Sequence, residues 1–214
     1  VGTVNMDEST HGFSRKVLDR AFTMELSDVN LTWSPDENST DSPALMPWPS
    51  SVWWPRATRL HELTELTANE ITIAQNAVNA LQEANRSLIR AQLQVGYRVR
   101  DEIVLFCLHA EEVRTTFRDD DGKEVSPLDL ALTMKLLPRV EGGSQAIAST
   151  LRGLLAWAMG QPSNVSESAQ RQWLDTWKQS RLPRVDDAQF PITAARLLLM
   201  LERLEEEGFT SFWL

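Results

Sequence analysis

The fold of this 214-residue chain is decided by the stretch Thr67-Ala-Asn-Glu-Ile-Thr-Ile-Ala-Gln-Asn-Ala-Val-Asn-Ala-Leu81. A threonine followed three residues later by a glutamate is a capping box, which predicts that a helix begins here. Apolar residues then recur at helical spacing and form one stripe: Ile71, Ala74, Val78, Leu81, Leu88 and Val95. A stripe of this kind, over about seven turns, predicts a long amphipathic helix that packs against other helices.

Five further helical patterns follow toward the carboxyl end. The second begins near Val99, and the third begins at Ser126-Pro127, where a serine cap precedes a proline at the first helical position. The third pattern carries its apolar residues at Leu130, Met134 and Leu137. The remaining patterns cover residues 147–155, 166–179 and 191–208. We therefore predict a mainly α fold, with a helical bundle over residues 59–214.

Composition narrows the classes of function that this chain can have. The formal net charge is −9, and such an acidic surface argues against strong nonspecific binding to DNA. The single cysteine, Cys107, excludes an internal disulfide and fits a reducing compartment, and its apolar neighbours predict a buried thiol. No apolar run approaches the roughly 18 residues that a membrane span needs, so we expect no membrane partner and a cytoplasmic protein.

Residues 31–58 separate the bundle from the amino-terminal segment, and they are polar at first and then rich in proline and tryptophan. Neither part has helical or alternating periodicity, which predicts a loop. Three tryptophans, Trp48, Trp53 and Trp54, would be costly in an exposed loop, so we expect them to pack on the helical body. Docking of a partner, or stacking on nucleic acid bases, is the alternative.

The amino-terminal segment reads Val1-Gly-Thr-Val-Asn-Met-Asp-Glu-Ser-Thr-His-Gly-Phe-Ser-Arg-Lys-Val-Leu-Asp-Arg-Ala-Phe-Thr-Met-Glu-Leu26. It predicts a short strand ending at Asn5, a polar turn, a short helix with Phe13, Val17 and Phe22 on one face, and a second strand. An asparagine at the carboxyl end of an α/β strand lies where such sheets bind ligands, and its amide can orient a water molecule. An arginine at a helix end can stabilise the charge of a transferring phosphoryl group.

This segment resembles the region from sensor 1 to the arginine finger of AAA+ nucleotide hydrolases, in particular the McrB-like branch of modification-dependent DNA restriction. The resemblance implies that Asn5 is sensor 1 and that Arg20 is the finger, with Arg15 in reserve. The family usually carries two or three arginines before the phenylalanine, whereas here Arg20 stands there alone, between Asp19 and Ala21. Residues 1–30 would then be the carboxyl-terminal remnant of an α/β core.

AAA+ modules place a helical lid after the finger segment, and the predicted bundle stands in that position. Gly96-Tyr-Arg-Val-Arg-Asp-Glu102 looks like the sensor 2 neighbourhood of McrB-like proteins, where a lid arginine reaches back to the nucleotide. Arg98 is the first choice for this role and Arg100 the second. The residues alone leave another interpretation open, a solvated helix start in which Arg100 pairs with Asp101 or Glu102.

The chain has neither a G-x-x-x-x-G-K-[ST] motif nor an apolar strand that ends in an acidic pair. The resemblance therefore implies the carboxyl-terminal part of a nucleoside triphosphatase, inactive alone and with no cofactor expected in the fragment. The intact protein would use ATP or GTP with magnesium and would form a homo-oligomeric ring, expected to be hexameric. Its partners would be a McrC-like nuclease and, indirectly, DNA.

The rival hypothesis is a helical protein–protein interaction module without nucleotide chemistry. A P-loop upstream of this chain would distinguish the two. If the resemblance holds, the strand between residues 1–4 and 23–26 in the parent sheet is absent from this chain. Unpaired buried backbone is costly, so we expect this segment to pair with another chain, to lie on the helical body, or to form no regular sheet.

Overall fold

The structure is a computed structural model that describes residues 2–4, 13–25, 57–119 and 121–213. Its α-helices in these ranges are α1 Arg15–Leu18, α2 Ala68–Leu88, α3 Tyr97–Glu112, α4 Pro127–Leu136, α5 Gln145–Ala158, α6 Glu167–Ser180 and α7 Pro191–Glu207. Short 3₁₀ turns are Leu60–Glu62, Ile89–Ala91, Arg114–Thr116 and Leu137–Arg139. The described ranges contain isolated β-bridges and no named strand. The predicted mainly α fold and helical bundle are confirmed.

Five of the helices form a closed ring around the core. Helix α2 contacts α3 and α5, α3 contacts α4, α4 contacts α7, and α7 returns to α5, while α6 packs against α5 and α7. The largest fully buried apolar side chains all come from these five helices or the turns that follow them: Leu88, Ile103, Leu132, Leu136, Leu137, Leu151, Leu154, Leu155, Leu197, Leu198 and Met200. Burial of this apolar surface is the main force that holds the bundle together.

The helices of the bundle begin where their caps predict. Thr67 accepts a hydrogen bond from the Glu70 amide in a complete capping box, and the side chains of Ser126, Ser144 and Ser166 cap α4, α5 and α6 in the same way. At the far end of α7, Gly208 has a φ of 73°, a left-handed conformation that favours glycine. These local signals locate the starts of α2, α4, α5 and α6 and the end of α7.

The predicted stripe on α2 needs correction. The helix ends at Leu88, so Val95 lies beyond it, and Ile71 is exposed near its start. The buried apolar residues of α2 are Ala77, Ala80, Leu81, Ala84 and Leu88. The reason is that α2 packs against both α3 and α5, which buries a wider face, displaced from the predicted stripe.

The predicted face of α4 is also wrong in part. Leu130 and Met134 are only half-buried, whereas Ala131, Leu132 and Leu136 are fully buried. Helix α4 contacts α3 on one side and α7 on another, so its burial does not follow a single stripe.

A buried carboxylate joins α4 to the start of α7. Asp129 Oδ2 accepts from the Ile192 amide at 2.8 Å, and Oδ1 accepts from the Thr193 amide at 3.0 Å and from its hydroxyl at 2.7 Å. Helix α7 begins with Pro191 and has no side-chain cap of its own, so Asp129 supplies one from another helix. Burial raises the pKa of this carboxyl, and the hydrogen bonds from residues 192 and 193 oppose the rise.

The carboxyl-terminal tail docks on the bundle. The amide of Gly142 donates to the Thr210 carbonyl at 2.9 Å, the amide of Thr210 donates back at 3.1 Å, and Phe212 is buried. A Cβ on Gly143 would lie 2.1 Å from the Gly208 carbonyl oxygen, so only glycine fits where the two chain segments cross. Cys107 is buried as expected, and burial raises the pKa of its thiol to about 12.

The amino-terminal segment differs from the sequence-based expectation. Residues 2–4 and 23–25 are not strands, and the described residues therefore do not support the predicted piece of an α/β core. Helix α1 has four residues, and Leu18 is its buried side chain, whereas Val17 and Phe22 are exposed. The segment lies on the helical body, one of the three outcomes expected for strands without a ladder partner. Asn5 and the three tryptophans of the loop lie outside the described residues.

Candidate functional site

Residues 13–25 form a segment, here called the docked segment, that lies against the carboxyl end of α4. Leu18 anchors it, with 5% of its surface exposed. The amide and the hydroxyl of Thr23 both donate to the Met134 carbonyl, at 3.2 and 2.9 Å. This carbonyl belongs to the last turn of α4, which leaves such oxygens without a partner inside the helix. The docked segment thus supplies donors that the end of α4 needs.

Two buried cations hold the middle of the docked segment. Lys135 Nζ donates to the carbonyls of Asp19 at 3.2 Å and Ala21 at 2.9 Å, and it forms an ion pair with Glu102 of α3. The guanidinium of Arg139, four residues further on, forms an ion pair with the Asp19 carboxylate. The side chains of Lys135 and Arg139 are 0% and 6% exposed, so both charges depend on these partners.

Aromatic contacts and a further ion pair complete the docking. Phe22 stacks on Phe106 of α3 with ring centroids 5.1 Å apart, and Lys135 Nζ lies 4.8 Å from the centroid of the Phe22 ring. A cation over an aromatic face is attracted by the ring quadrupole. Glu25 pairs with Arg196 of α7. The docked segment is therefore held by one buried side chain, two ion pairs, one aromatic stack and hydrogen bonds between its backbone and the bundle.

The finger candidates are both exposed on this segment. The side chain of Arg20 makes no ion pair or hydrogen bond with any of the residues that the structure describes, although its amide donates to the Val17 carbonyl at 2.9 Å. Arg15 Nη1 donates to the Gln92 carbonyl at 3.4 Å, a long and weak contact. Arg20 is consequently the freer of the two to reach an anion outside the chain.

The second candidate group lies at the start of α3. Arg98 is exposed and has no ion-pair partner within the described ranges. Arg100 Nε donates to Asp101 Oδ1 at 2.8 Å, and its guanidinium lies 4.9 Å from the centroid of the Tyr97 ring. The ion pair with Asp101 that the residues alone left open is therefore formed, and it leaves Arg98 as the arginine available to a ligand.

A cavity of about 380 Å³ lies beside this group, between α2 and the start of α3. Val78, Leu81 and Val95 form its apolar wall, and Tyr97, which is 79% exposed, stands at its edge. The amide of Asn85 faces the cavity but already makes two hydrogen bonds to the backbone of Val95, at 3.0 and 2.8 Å. The cavity can therefore take an apolar or flat group, with few free polar partners.

The contact from Arg15 to Gln92 links the two groups, because Gln92 lies in the turn that precedes Gly96 and α3. The structure brings the docked segment close to that turn. Asn5 lies outside the described residues, so its position relative to the arginines is not defined. Among the described residues, no group of three histidine, cysteine, aspartate or glutamate side chains could hold a metal ion.

Sequence reasoning missed the residues that hold the site together. Lys135 and Arg139 stand near the end of a predicted helix, where cations are ordinarily solvated and interact with the helix dipole. The leucines at 132, 136 and 137 that surround them gave the only local signal, since cations within an apolar run are more often buried. The partner, Asp19, is more than 100 residues away along the chain.

None of the described helices is long and apolar enough to cross a membrane. A family model described as Domain of unknown function (DUF8727) matches residues 54–209, and the chain belongs to this family. The matched region covers the bundle and excludes the docked segment. No curated protein and no solved structure matches the chain significantly.

Proposed function

We propose that this member of the DUF8727 family is the arginine-finger and lid part of an AAA+ nucleoside triphosphatase that resembles the McrB-like branch. One observation carries the proposal: the finger-like motif is docked on a helical bundle in a way that leaves the Arg20 side chain exposed and unpaired among the described residues. A structural arginine would be expected to pair with the bundle, as Arg139 does.

The chemistry required of Arg20 is electrostatic. In a homo-oligomeric ring, each active site lies between two subunits, and Arg20 would reach the γ-phosphate bound by its neighbour. A fixed cation there stabilises the charge that develops on the phosphoryl oxygens in the transition state. Arg98 would act within its own subunit as sensor 2, since a guanidinium can bind phosphate oxygens in a bidentate manner.

The substrate of the intact protein would be ATP or GTP with magnesium. The described residues offer no group of three acidic, histidine or cysteine side chains that could hold a metal ion, so we assign magnesium no ligand among them. Asn5 is proposed, on the resemblance alone, to orient the attacking water. A McrC-like nuclease and, through it, DNA would be the partners. The net charge of −9 favours direct DNA contact by another part of the assembly.

The test is nucleotide hydrolysis by the intact protein. Arg20→Ala should lower kcat by about 10³- to 10⁵-fold, the contribution of arginine fingers in other hydrolases, and leave the Kd for nucleotide unchanged. Lys16→Ala, another exposed cation of the docked segment, is the matched control and should keep full activity. Full turnover in both Arg20→Ala and Arg15→Ala would remove the finger role and favour the helical interaction module.

A second measurement uses the chain alone. Because it contains no phosphate-cradling loop, we expect ATP and GTP to bind weakly or not at all. Calorimetric titration with a nonhydrolysable analogue measures this directly. A Kd near micromolar, equivalent to about −8 kcal/mol, would show that the chain carries a complete nucleotide site of another kind.

A further inference from the structure

We infer that Lys135 and Arg139 are positioning residues for Arg20, and that the lid, through them, sets the geometry of the finger of its own subunit. The inference rests on the proposed function for its catalytic consequence. Its structural part, that these two cations hold the docked segment in register, stands on the contacts alone.

The contacts of both cations lie directly beside Arg20 in the docked segment. Lys135 Nζ binds the carbonyl oxygens of Asp19 and Ala21, and Arg139 binds the Asp19 carboxylate. The carbonyl groups of the residues before and after Arg20 are thus held at the end of α4, while the Arg20 side chain itself is exposed. This is the arrangement that a presented side chain requires, because its backbone is held and its head group is free.

The two cations also depend on the docked segment for most of their partners. Among the described residues, Asp19 is the only acidic side chain that pairs with Arg139, and Arg139 Nε is buried without a hydrogen-bond partner. Lys135 has Glu102 on the bundle, but its remaining acceptors are the two carbonyls and the ring face of Phe22. A buried cation that loses its partners is strongly disfavoured, so the docked register is preferred over a shifted one.

The ion pair between Lys135 and Glu102 links the sites of Arg20 and Arg98. Glu102, the bundle partner of Lys135, lies four residues after Arg98 on α3, one helical turn along the same side. Lys135 therefore binds both the helix that presents Arg98 and the segment that presents Arg20. A rigid connection of this kind keeps the two arginines at a fixed separation within one subunit.

The structural part is tested on the chain itself by amide hydrogen exchange. Asp19→Asn and Lys135→Met should each speed exchange of the amides of residues 18–25 by about tenfold or more, because each removes a charged hydrogen bond. The Thr23 amide, which donates to Met134, is the most direct probe. Amides of α2 and α5 should keep their protection. Unchanged exchange at residues 18–25 in both variants would overturn the inference.

The catalytic part is tested in the intact protein. Asp19→Asn, Lys135→Met and Arg139→Gln should lower kcat by about 10²-fold, the cost of misplacing a catalytic group by about 1 Å, with little change in KM. Arg139→Lys keeps the charge and should recover most of the loss. Arg184→Gln is the control, because it removes a largely buried, ion-paired arginine whose partners, Asp119 and Asp186, lie outside the docked segment. Asp19 is partly exposed, so its variant serves if the buried ones fold poorly.

The two proposals fail in different ways. If Arg20→Ala keeps full kcat, Arg20 is not the finger, and the catalytic role of Lys135 and Arg139 is overturned with it. The proposed function itself is wrong if Arg15→Ala keeps full kcat as well. If Arg20→Ala abolishes hydrolysis while Asp19→Asn and Lys135→Met keep kcat despite faster exchange, the positioning role alone is overturned.

Discussion

The helical bundle and the docked segment are held by different forces. The bundle buries leucine, isoleucine and methionine side chains from a closed ring of helices, and threonine or serine side chains cap α2, α4, α5 and α6. The docked segment has one buried aliphatic anchor, Leu18, and is otherwise held by ion pairs, by hydrogen bonds to backbone carbonyls and by the stacking of Phe22 on Phe106. Apolar burial provides stability without direction, whereas the polar contacts provide register with little net stability. The bundle should thus survive changes that release the segment.

The largest effect should come from a cavity in the bundle. Leu154→Ala, at a fully buried position, should lower the free energy of unfolding by about 2–5 kcal/mol, because the lost contacts and the cavity add. Leu18→Ala should cost less, since the segment can detach while the bundle stays folded. Chemical denaturation followed by circular dichroism compares the two, and Leu182→Ala, at a 55% exposed side chain, is the control. Equal losses of unfolding free energy in Leu154→Ala and Leu18→Ala would show that the docked segment and the bundle unfold as one unit.

The second effect tests the crossing of the tail over the bundle. Gly143→Ala should lower the free energy of unfolding by about 1–3 kcal/mol, because the new Cβ meets the Gly208 carbonyl and the backbone must move. Gly2→Ala has open space around the new Cβ and should leave stability unchanged. Denaturation midpoints of both variants measure the difference. A Gly143→Ala variant with unchanged stability would mean that the tail is not tightly packed at this crossing.

The third effect is a pH dependence from the core of the bundle. Burial raises the pKa of Cys107 to about 12, while the pKa of the thiol in the unfolded chain is near its ordinary 9.0. Between these values the folded state binds more protons, so the free energy of unfolding falls as the pH rises. The fall should be about 1 kcal/mol between pH 8 and pH 10.

Cys107→Ala isolates this contribution, because the variant loses the thiol and its stability curve should be flatter by that amount. Denaturation at several pH values measures both curves. Parallel curves of unfolding free energy against pH would show that the thiol titrates normally in the folded protein, and they would contradict the prediction.

The smallest effect compares two serine caps. Ser144 caps α5 by accepting from the Ile147 amide, whereas Ser14 stands at the same position of α1 without a capping hydrogen bond. Ser144→Ala should therefore cost about 1 kcal/mol of unfolding free energy, and Ser14→Ala should cost nothing measurable. Thermal denaturation resolves the difference. A matching loss at Ser14 would show that α1 contributes to the stability of the bundle.

Much of the bundle could be predicted from local sequence, and little of the site could. Helix starts at Thr67, Ser126 and Ser166 follow from cap chemistry within four residues. The buried faces of α2 and α4 were predicted only in part, because each helix packs against more than one neighbour. Arg20 and Arg98 were selected by resemblance, and the structure describes both as exposed. Whether they act on a nucleotide stays a prediction.

By itself, the sequence determined the helical class, the order of the helices, the capped helix starts and the burial of Cys107, because these depend on neighbours within one or two turns. The tertiary structure decided that residues 23–25 lie on the bundle as an irregular segment, and that Lys135 and Arg139 are buried. Both outcomes depend on contacts between residues more than 100 positions apart. A cation has no local preference for burial, since only a distant carboxylate and free carbonyl oxygens can offset the loss of its hydration.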